Sequence, residues 1–281
     1  MIAIGKYNNL KIAAKNKDGL SLSDGFREIL LPYEDVPANF EIEDQISVFV
    51  FINKDGQTMA TTKQARASVN DFACLTVVDV NEDGAYLDLG IGKDVYVPLR
   101  EQKRPMHKGE SYVVYVFLDE SNQRMLASSR LSKFIEEEDL DIDEGDEVSL
   151  LISEKTDLGF NAIINNQYIG LLYYNELFSN LEVGDQRKGW IKKIRIEGKI
   201  DLSLQPQGYS HILDTKDVLL KELRENGGKI NLGDKSTPDE IYERFQISKS
   251  AFKKAIGGLY KERIIVIGDH EIKLVVDHLA D

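Results

Sequence analysis

The chain has 281 residues, 42% of them hydrophobic, and a formal net charge of −13. None of its apolar runs approaches the roughly 18 residues that a membrane-spanning helix requires, and the first residues lack the charged-then-apolar pattern of a secretory signal, so we expect a cytoplasmic protein without a membrane partner. The single cysteine, Cys74, excludes an internal disulfide framework, and its apolar surroundings predict a buried core thiol rather than a nucleophile.

One arrangement of residues recurs three times within the first 205 positions. Each copy has a turn glycine, a short apolar strand, an acidic turn before a β-rich run, and a polar hairpin. A fixed unit with tolerated substitutions indicates a repeated domain. Units of about 60–65 residues are too long for a solenoid repeat and long enough for a small core. The recurrent spacings are 13 residues from Gly19 to Pro32, and 14 from Gly84 to Pro98 and from Gly159 to Tyr173.

Within each copy the pattern is that of short β-strands. Runs rich in Val, Ile and Tyr are separated by turn residues such as Glu82-Asp83-Gly84. Five short strands with one longer connection after the third are typical of a small closed barrel of the OB type. We therefore predict a multidomain, mainly β protein whose three tandem OB barrels occupy residues 1–66, 67–133 and 147–208.

An acidic linker is predicted at residues 134–146, between the second and third barrels. It holds eight acidic residues and no basic one, while the flanking blocks are nearly balanced, so local basic faces are expected elsewhere. Its aspartates imitate the start of a calcium-binding EF-hand loop. However, Glu144 and Leu150 stand where that loop needs a glycine and a bidentate glutamate. The run is therefore predicted to be a solvated connector.

Residues 209–281 change in character and predict a winged helix-turn-helix domain, the α/β part of the chain. An amphipathic helix starting near Leu213 is stopped by a Gly-Gly pair, Thr237 opens a second helix with a capping box, and Ser248 caps a third. Two β-prone runs follow, which completes the layout. DNA contact through the third helix is one hypothesis, and binding to proteins or internal packing is the other. The candidate contacts are Lys249, Lys253 and Lys254.

The third repeat, from Thr156 (TDLGFNAIINNQYIGLLYYNEL), resembles the S1-type RNA-binding OB domain. The first two repeats look like diverged copies of it, and the third is expected to be the most specific match. Three such domains followed by a winged helix resemble the conserved virulence factor B family of bacterial RNA-binding proteins. The resemblance covers essentially the whole chain. It implies single-stranded RNA as the partner and a role in the regulation of gene expression and virulence.

The resemblance also implies where RNA would bind. In S1-type domains RNA crosses one barrel face, stacks on aromatic side chains and meets polar or basic groups on the last hairpin, and stacking contributes about 1–3 kcal/mol per base. The first repeat keeps no aromatic pair at the corresponding positions, so whether it binds RNA is left open. The implied contacts are Tyr86, Asp119 and Arg124 in the second repeat and Phe160, Tyr173 and Lys199 in the third.

Independently of the resemblance, the run KGWIKKIRIEGK from Lys188 is the strongest local signal. It places basic side chains around Trp190, the only tryptophan of the chain, and such interleaving on one hairpin suits single-stranded nucleic acid. The alternative is that Trp190 packs against a neighbouring domain while the lysines are only solvated. Core or rim packing is likewise an alternative for Tyr86 and Tyr173. The run adds Lys188, Trp190, Lys192 and Lys193 to the candidate RNA contacts.

No arrangement of residues in the sequence indicates catalysis, a cofactor or a metal site. The four histidines are scattered, and there is no P-loop, nucleophile elbow or dinucleotide fingerprint. A nuclease-like cluster of carboxylates is left open by the sequence, because acidic residues are abundant. We therefore expect a protein that is not an enzyme.

The sequence thus predicts a cytoplasmic protein that binds single-stranded RNA and regulates bacterial gene expression after transcription. Weak contacts on successive barrels would combine through tethering. The alternative is a scaffold that binds proteins of the ribosome or the transcription machinery without touching RNA. An RNA-cleaving enzyme is a third class and would show metal-dependent loss of its substrate.

Overall fold

The computed structural model describes residues 2–136, 140–177, 180–195, 197–206, 209–245 and 247–275. The chain forms two compact units, each described below by itself. The first comprises residues 1–136 with the short segments 165–168 and 183–185, and the second comprises residues 137–164, 169–182 and 186–281.

Three closed five-stranded barrels account for most of the chain, as the repeats predict. In each barrel the third strand pairs in parallel with the fifth, which closes the sheet. The first barrel consists of β1 (Lys6–Asn16), β2 (Gly19–Ser23), β3 (Glu28–Pro32), β4 (Gln45–Ile52) and β5 (Thr58–Thr61). The second consists of β6 (Phe72–Val80), β7 (Gly84–Asp88), β8 (Asp94–Pro98), β9 (Ser111–Leu118) and β10 (Met125–Ser128). The third consists of β11 (Glu147–Lys155), β12 (Gly159–Ile164), β13 (Tyr168–Tyr173), β14 (Gln186–Ile194) and β15 (Ile200–Ser203).

The recurring turn glycine begins the second strand of every barrel, where the neighbouring strand passes very close. A Cβ atom at this position would collide with a backbone carbonyl oxygen of that strand, so only glycine permits the pairing. The distance from such a Cβ would be 2.0 Å to Leu31 O for Gly19, 2.3 Å to Val97 O for Gly84, and 1.8 Å to Leu172 O for Gly159. The repeat in the sequence therefore marks a repeated steric requirement of the barrel.

The first barrel has a core of its own, and part of its strand β4 also packs into the core of the second barrel. Phe49 and Phe51 of β4 are buried together with residues of the second barrel, such as Val69 and Leu89. Two hydrogen bonds support this junction: the Val69 amide donates to the Gly5 carbonyl at 2.8 Å, and the Ala65 amide donates to the Tyr7 hydroxyl at 2.8 Å. The two barrels therefore pack as one body, which is why they fall in a single compact unit.

Two apolar side chains of the predicted acidic linker are not fully exposed, since Phe134 is half-buried and Ile142 is buried. Phe134 ends a short 3-10 helix (Leu131–Phe134), and its ring stacks on Tyr115 of the second barrel with centroids 4.2 Å apart. Ile142 is only 8% exposed. The view of 134–146 as a solvated connector is therefore wrong at these positions, because apolar side chains between the acids gain free energy by burial. Residues 137–139 lie outside the described residues, and the predicted domain boundaries stay a prediction.

The C-terminal region has the predicted winged-helix layout. Its elements are α1 (Tyr209–Glu225), β16 (Lys229–Ile230), α2 (Pro238–Phe245), α3 (Lys249–Lys261), β17 (Ile265–Ile267) and β18 (Ile272–Leu274), and the sheet order is β16-β18-β17. The capping box is present, because the Thr237 amide donates to Glu240 Oε2 at 2.6 Å and the Glu240 amide donates to Thr237 Oγ1 at 3.3 Å. Helix α1 begins earlier than expected, and the two-residue strand β16 is too short to be visible in the sequence pattern.

Candidate nucleic-acid interface

A cleft of about 680 Å³ lies in the first unit, over strands β7, β8 and β10 of the second barrel. Its other side is the hairpin that joins β4 to β5 of the first barrel, which contributes Asn53 and Lys54. Two residues predicted from the sequence, Tyr86 and Arg124, line this cleft together. A third, Asp119, lies in the same lining.

Tyr86 and Tyr96 form the aromatic floor of the cleft. They are direct cross-strand partners on β7 and β8, their ring centroids are 5.0 Å apart, and both side chains are half-buried. Burial, together with the negative charge of Asp83, raises the pKa of the Tyr96 hydroxyl, so the ring stays neutral. Sequence reasoning missed Tyr96, because its place opposite Tyr86 follows from the register of the two strands. The pair presents aromatic surface at the mouth of a preformed cleft.

Four basic side chains surround these tyrosines, and two acidic ones accompany them. All four basic residues are exposed, and among the residues that the structure describes none of them forms an ion pair. The local surplus of positive charge stands against a net charge of −13 for the whole chain, which makes the cleft suitable for phosphate. The basic residues are Lys54, Lys93, Arg100 and Arg124, and the acidic ones are Asp94 and Asp119.

Asp119 has a structural task in the turn between β9 and β10. Its carboxylate accepts hydrogen bonds from the Ser121 amide at 3.0 Å, the Ser121 hydroxyl at 2.8 Å and the Asn122 side chain at 3.0 Å. The bond from the Ser121 amide is the main reason why the pKa of this carboxyl lies below its usual value. Asp119 therefore holds the turn that leads to Arg124. Its carboxylate oxygens are already engaged by hydrogen bonds within that turn.

The other two barrels lack the aromatic pair at the equivalent positions. These positions lie two residues after the recurring glycine and two residues before the end of the third strand. In the first barrel they hold Ser21 and Leu30, and in the third they hold Asn161 and Leu171. The second barrel is thus the one that presents two neighbouring aromatic rings on which a base could stack. From the sequence we had expected the third repeat to carry the strongest site.

In the third barrel, two of the predicted aromatic residues, Phe160 and Tyr173, contact other side chains of the protein. Phe160 is 7% exposed and packs edge-on against Tyr174, with ring centroids 5.6 Å apart, so its ring is not available on the barrel surface. The Tyr173 hydroxyl accepts a hydrogen bond from Arg195 Nη2 at 2.7 Å and donates to Asp201 Oδ1 at 3.4 Å. Phe160 is therefore withdrawn as a candidate contact, and Tyr173 belongs to a polar cluster.

The basic run on β14 is largely neutralised by acidic side chains. Its ion pairs are Lys188 with Glu147 at 2.7 Å, Lys192 with Glu176, and Arg195 with Asp201 at 2.9 Å. Lys193 and Lys199 are exposed and have no ion pair within the described part of the chain, and Trp190 is half-buried. The local charge of this hairpin is therefore smaller than its sequence suggests.

Comparison with known proteins agrees with this architecture. A model of the S1 domain matches residues 4–63 and 71–129, which are the first two barrels rather than the third repeat that we expected to match most specifically. A model of the CvfB-like winged helix domain matches residues 217–274. The chain therefore carries S1 domains and a CvfB-like winged helix domain, and it is similar to the conserved virulence factor B proteins.

Similar proteins match most of the chain. A conserved virulence factor B of Staphylococcus epidermidis is 28% identical over 84% of this chain and 82% of its own length. The uncharacterized protein YitL of Bacillus subtilis is 29% identical over 92% of this chain and 89% of its own length. A solved structure of a Streptococcus pneumoniae multidomain protein with nucleic acid binding domains is 20% identical over 97% of this chain and 98% of that chain, with a TM-score of 0.43.

The winged helix holds the three predicted lysines on helix α3. Lys253 forms an ion pair with Asp234 at 3.0 Å, whereas Lys254 is exposed and Lys249 is half-buried. The helix starts at Ser248, whose hydroxyl oxygen accepts a hydrogen bond from the Ala251 amide at 3.0 Å. The structure therefore brings the lysines to one helix but gives one of them an acidic partner.

Within the described residues, no group of three or more His, Cys, Asp or Glu side chains could hold a metal ion. In the same part of the chain, no helix is long and apolar enough to cross a membrane. Cys74 is half-buried rather than fully buried as expected, and its burial raises the pKa of the thiol, which disfavours the reactive thiolate.

Proposed function

We propose that the protein binds single-stranded RNA in the cytoplasm and regulates gene expression after transcription, with the cleft of the second barrel as its principal contact. The observation that carries the proposal is the pair Tyr86 and Tyr96, surrounded by four exposed basic side chains that form no ion pair with any described residue. Tyrosine rings stack on the faces of unpaired bases, whatever the base, and basic side chains bind the phosphates between them.

A single strand fits this surface better than a duplex. In a duplex the faces of the bases are stacked on one another and cannot reach Tyr86 or Tyr96. The regulatory part of the proposal draws on the name of the staphylococcal relatives, which are described as virulence factors. The protein would act by binding, without chemical change of the RNA.

The third barrel would supply a second, weaker contact through Trp190, Lys193 and Lys199. Two weak contacts on one chain raise the affinity for a long strand, because binding at the first contact raises the effective concentration at the second. Long RNA should therefore bind more tightly than an oligonucleotide that fills the cleft alone.

A protein-interaction scaffold on the ribosome or the transcription machinery is the second candidate. One observation favours it: Phe26 is 93% exposed at the tip of the β2–β3 hairpin. The turn is held by a hydrogen bond that the Phe26 amide donates to Asp24 Oδ1 at 2.9 Å. Such a ring suits contact with a protein surface.

Titration of fluorescein-labelled single-stranded RNA at two salt concentrations tests the proposal. Each phosphate neutralised on a single strand contributes about 0.7 to the slope of log K against log salt, so the four basic residues of the cleft predict a slope of about −2 to −3. A hairpin of the same length should bind more weakly. If the intact protein fails to bind single-stranded RNA at low salt, the RNA proposal is wrong and the scaffold becomes the working hypothesis.

A further inference from the structure

We infer that the first barrel is not a second RNA-binding face but the opposing wall of the site on the second barrel, and that the cleft between them holds one or two unstacked nucleotides. The base would lie against Tyr86 and Tyr96, and the neighbouring phosphates would lie against the side chains of Lys54 and Arg124. This inference rests on the proposed function and adds to it the division of labour between the barrels and the size of the bound segment.

The wall from the first barrel is a rigid hairpin. Asn53 Oδ1 accepts hydrogen bonds from the Asp55 and Gln57 amides, both at 2.9 Å, and the Asn53 amide donates to the Gln57 carbonyl at 2.9 Å. The turn is completed by Gly56 at a φ of +79°. These bonds fix the backbone that places Lys54 in the cleft.

A hydrogen bond joins the two walls directly. Arg124 Nη2, from the second barrel, donates to the carbonyl oxygen of Lys54 in the first barrel at 2.9 Å. This contact holds the Arg124 guanidinium against the backbone of Lys54, and both residues line the cleft. Neither side chain forms an ion pair within the residues described. Two adjacent phosphates would give each of these positive charges a partner.

The width of the cleft is fixed by the core beneath it, to which both barrels contribute side chains. Phe51 lines the cleft and is also buried in the core that contains Leu89 and Ile91 of the second barrel. Gly5 has a φ of +71°, and a Cβ there would lie 2.1 Å from Val69 Cγ2, so the chain of the first barrel approaches the second as closely as a glycine permits. A site with a fixed width loses little entropy when it binds a ligand.

The equivalent face of the first barrel is unsuited to RNA. The Ser21 hydroxyl, in the place of Tyr86, donates a hydrogen bond to the carboxylate of Glu28. Leu30 replaces Tyr96, and Glu34 stands at the position of Arg100. Glu34 is already paired with Lys63 at 3.8 Å, so this face offers phosphate little positive charge, and without a ring at the two equivalent positions it offers no stacking surface for a base. The hairpin of this barrel, and not its face, is the part that can meet RNA.

The size of the cleft decides what can enter it. Its volume of about 680 Å³ lies within the range of about 300–1,000 Å³ that small organic ligands occupy. A volume of this order accepts one or two nucleotides but no duplex. The strand would therefore have to turn one or two bases out of its own stack to bind.

The test compares charge reversals on two lysines of the first barrel. Lys54→Glu changes the wall of the cleft, and Lys17→Glu is the matched control, because Lys17 is exposed on a turn of the same barrel and does not line the cleft. Binding of a fluorescein-labelled 12-nucleotide oligouridylate is measured by anisotropy over a range of salt. We expect Lys54→Glu to weaken binding about tenfold and to reduce the salt slope by about 0.7–1, and Lys17→Glu to leave both unchanged.

A second measurement reports on the bound nucleotides themselves. An oligonucleotide with one central 2-aminopurine should lose fluorescence when its base stacks in the cleft, and the loss should disappear with Tyr86→Ala. If Tyr86→Ala weakens binding while Lys54→Glu behaves like Lys17→Glu, the first barrel is not a wall and the inference is overturned, although RNA binding stands. If the intact protein does not bind the oligonucleotide at all, the proposed function fails and the inference fails with it.

Discussion

Tyr86 and Tyr96 face each other across strands β7 and β8, with ring centroids 5.0 Å apart and ring planes inclined by 36°. Gly84 makes this arrangement feasible, because a Cβ there would lie 2.8 Å from Cε2 of Tyr96. The same glycine that closes the barrel thus also leaves room for the aromatic floor of the cleft. Gly84 is therefore required both for the pairing of β7 with β8 and for the position of the Tyr96 ring.

Removal of either ring from the floor of the cleft should weaken RNA binding. Base stacking contributes about 1–3 kcal/mol, so Tyr86→Ala and Tyr96→Ala should each raise the Kd by roughly 5- to 150-fold, whereas Phe at either position should bind nearly as well as Tyr. Anisotropy with labelled single-stranded RNA measures the effect. Tyr33→Ala is the control, because Tyr33 is 43% exposed and does not line the cleft. Equal losses in control and test variants would contradict the assignment.

Gly84→Ala should destabilise the protein through steric overlap. The added methyl group would lie 2.3 Å from the Val97 carbonyl oxygen, so the strands must separate, and we expect a loss of about 1–3 kcal/mol in the free energy of unfolding. Gly257→Ala is the matched control, since no atom lies within 4 Å of the added Cβ in helix α3, where alanine should stabilise. Urea unfolding followed by circular dichroism measures both. An unchanged transition for Gly84→Ala would show that the barrel tolerates the overlap.

The wing of the winged helix should show acid-dependent stability. Hydrogen bonds from Lys229 and Lys273 lower the pKa of the Glu271 carboxyl from its ordinary value of 4.5 to about 2. Because the folded pKa is the lower one, the ionised carboxylate stabilises the folded state above pH 4.5, and this contribution is lost as the pH falls toward 2. An NMR titration of Glu271 should give a midpoint near 2, and it should move upward in Lys229→Ala. A midpoint near 4.5 in the intact protein would mean that these contacts do not persist in solution.

On the third barrel, Lys193 and Lys199, which form no ion pair with a described residue, should matter more than the paired lysines. Lys193→Ala/Lys199→Ala should weaken the binding of long RNA and lower its salt slope by up to about 1.4, because two unpaired charges are removed. Lys188→Ala/Lys192→Ala is the matched pair, and it should change the slope less, since Glu147 and Glu176 already neutralise these lysines. The reverse order of effects would show that the ion pairs open when RNA binds.

The fold was predictable because its strongest constraint is local. The glycines, the strand patterns and the capping residues Thr237 and Ser248 each act within a few positions along the chain, so they remain visible in the sequence. The one strand of the winged helix that we did not predict from the sequence is β16, because two residues are too few to show a periodic pattern. Three barrels and a winged helix follow from such signals.

The candidate site was predictable only in part, because its decisive contacts are distant in sequence. Tyr86 could be named, but its partnership with Tyr96 depends on the strand register, and a tyrosine in a strand can face inward or outward. The basic run on β14 looked free, yet Lys188 meets an acid 41 residues away. The contact of Arg124 with the Lys54 carbonyl spans 70 residues and joins two barrels. No local pattern reveals such pairs.

The most direct test of the account compares the second barrel with the third. The affinity of labelled single-stranded RNA is measured for the intact protein, for Tyr86→Ala/Tyr96→Ala and for Trp190→Ala, at one low and one moderate salt concentration. The account predicts that the double tyrosine variant loses most of the binding while Trp190→Ala loses little. Nearly full binding by the tyrosine variant, together with a large loss for Trp190→Ala, would contradict it and place the main contact on the third barrel.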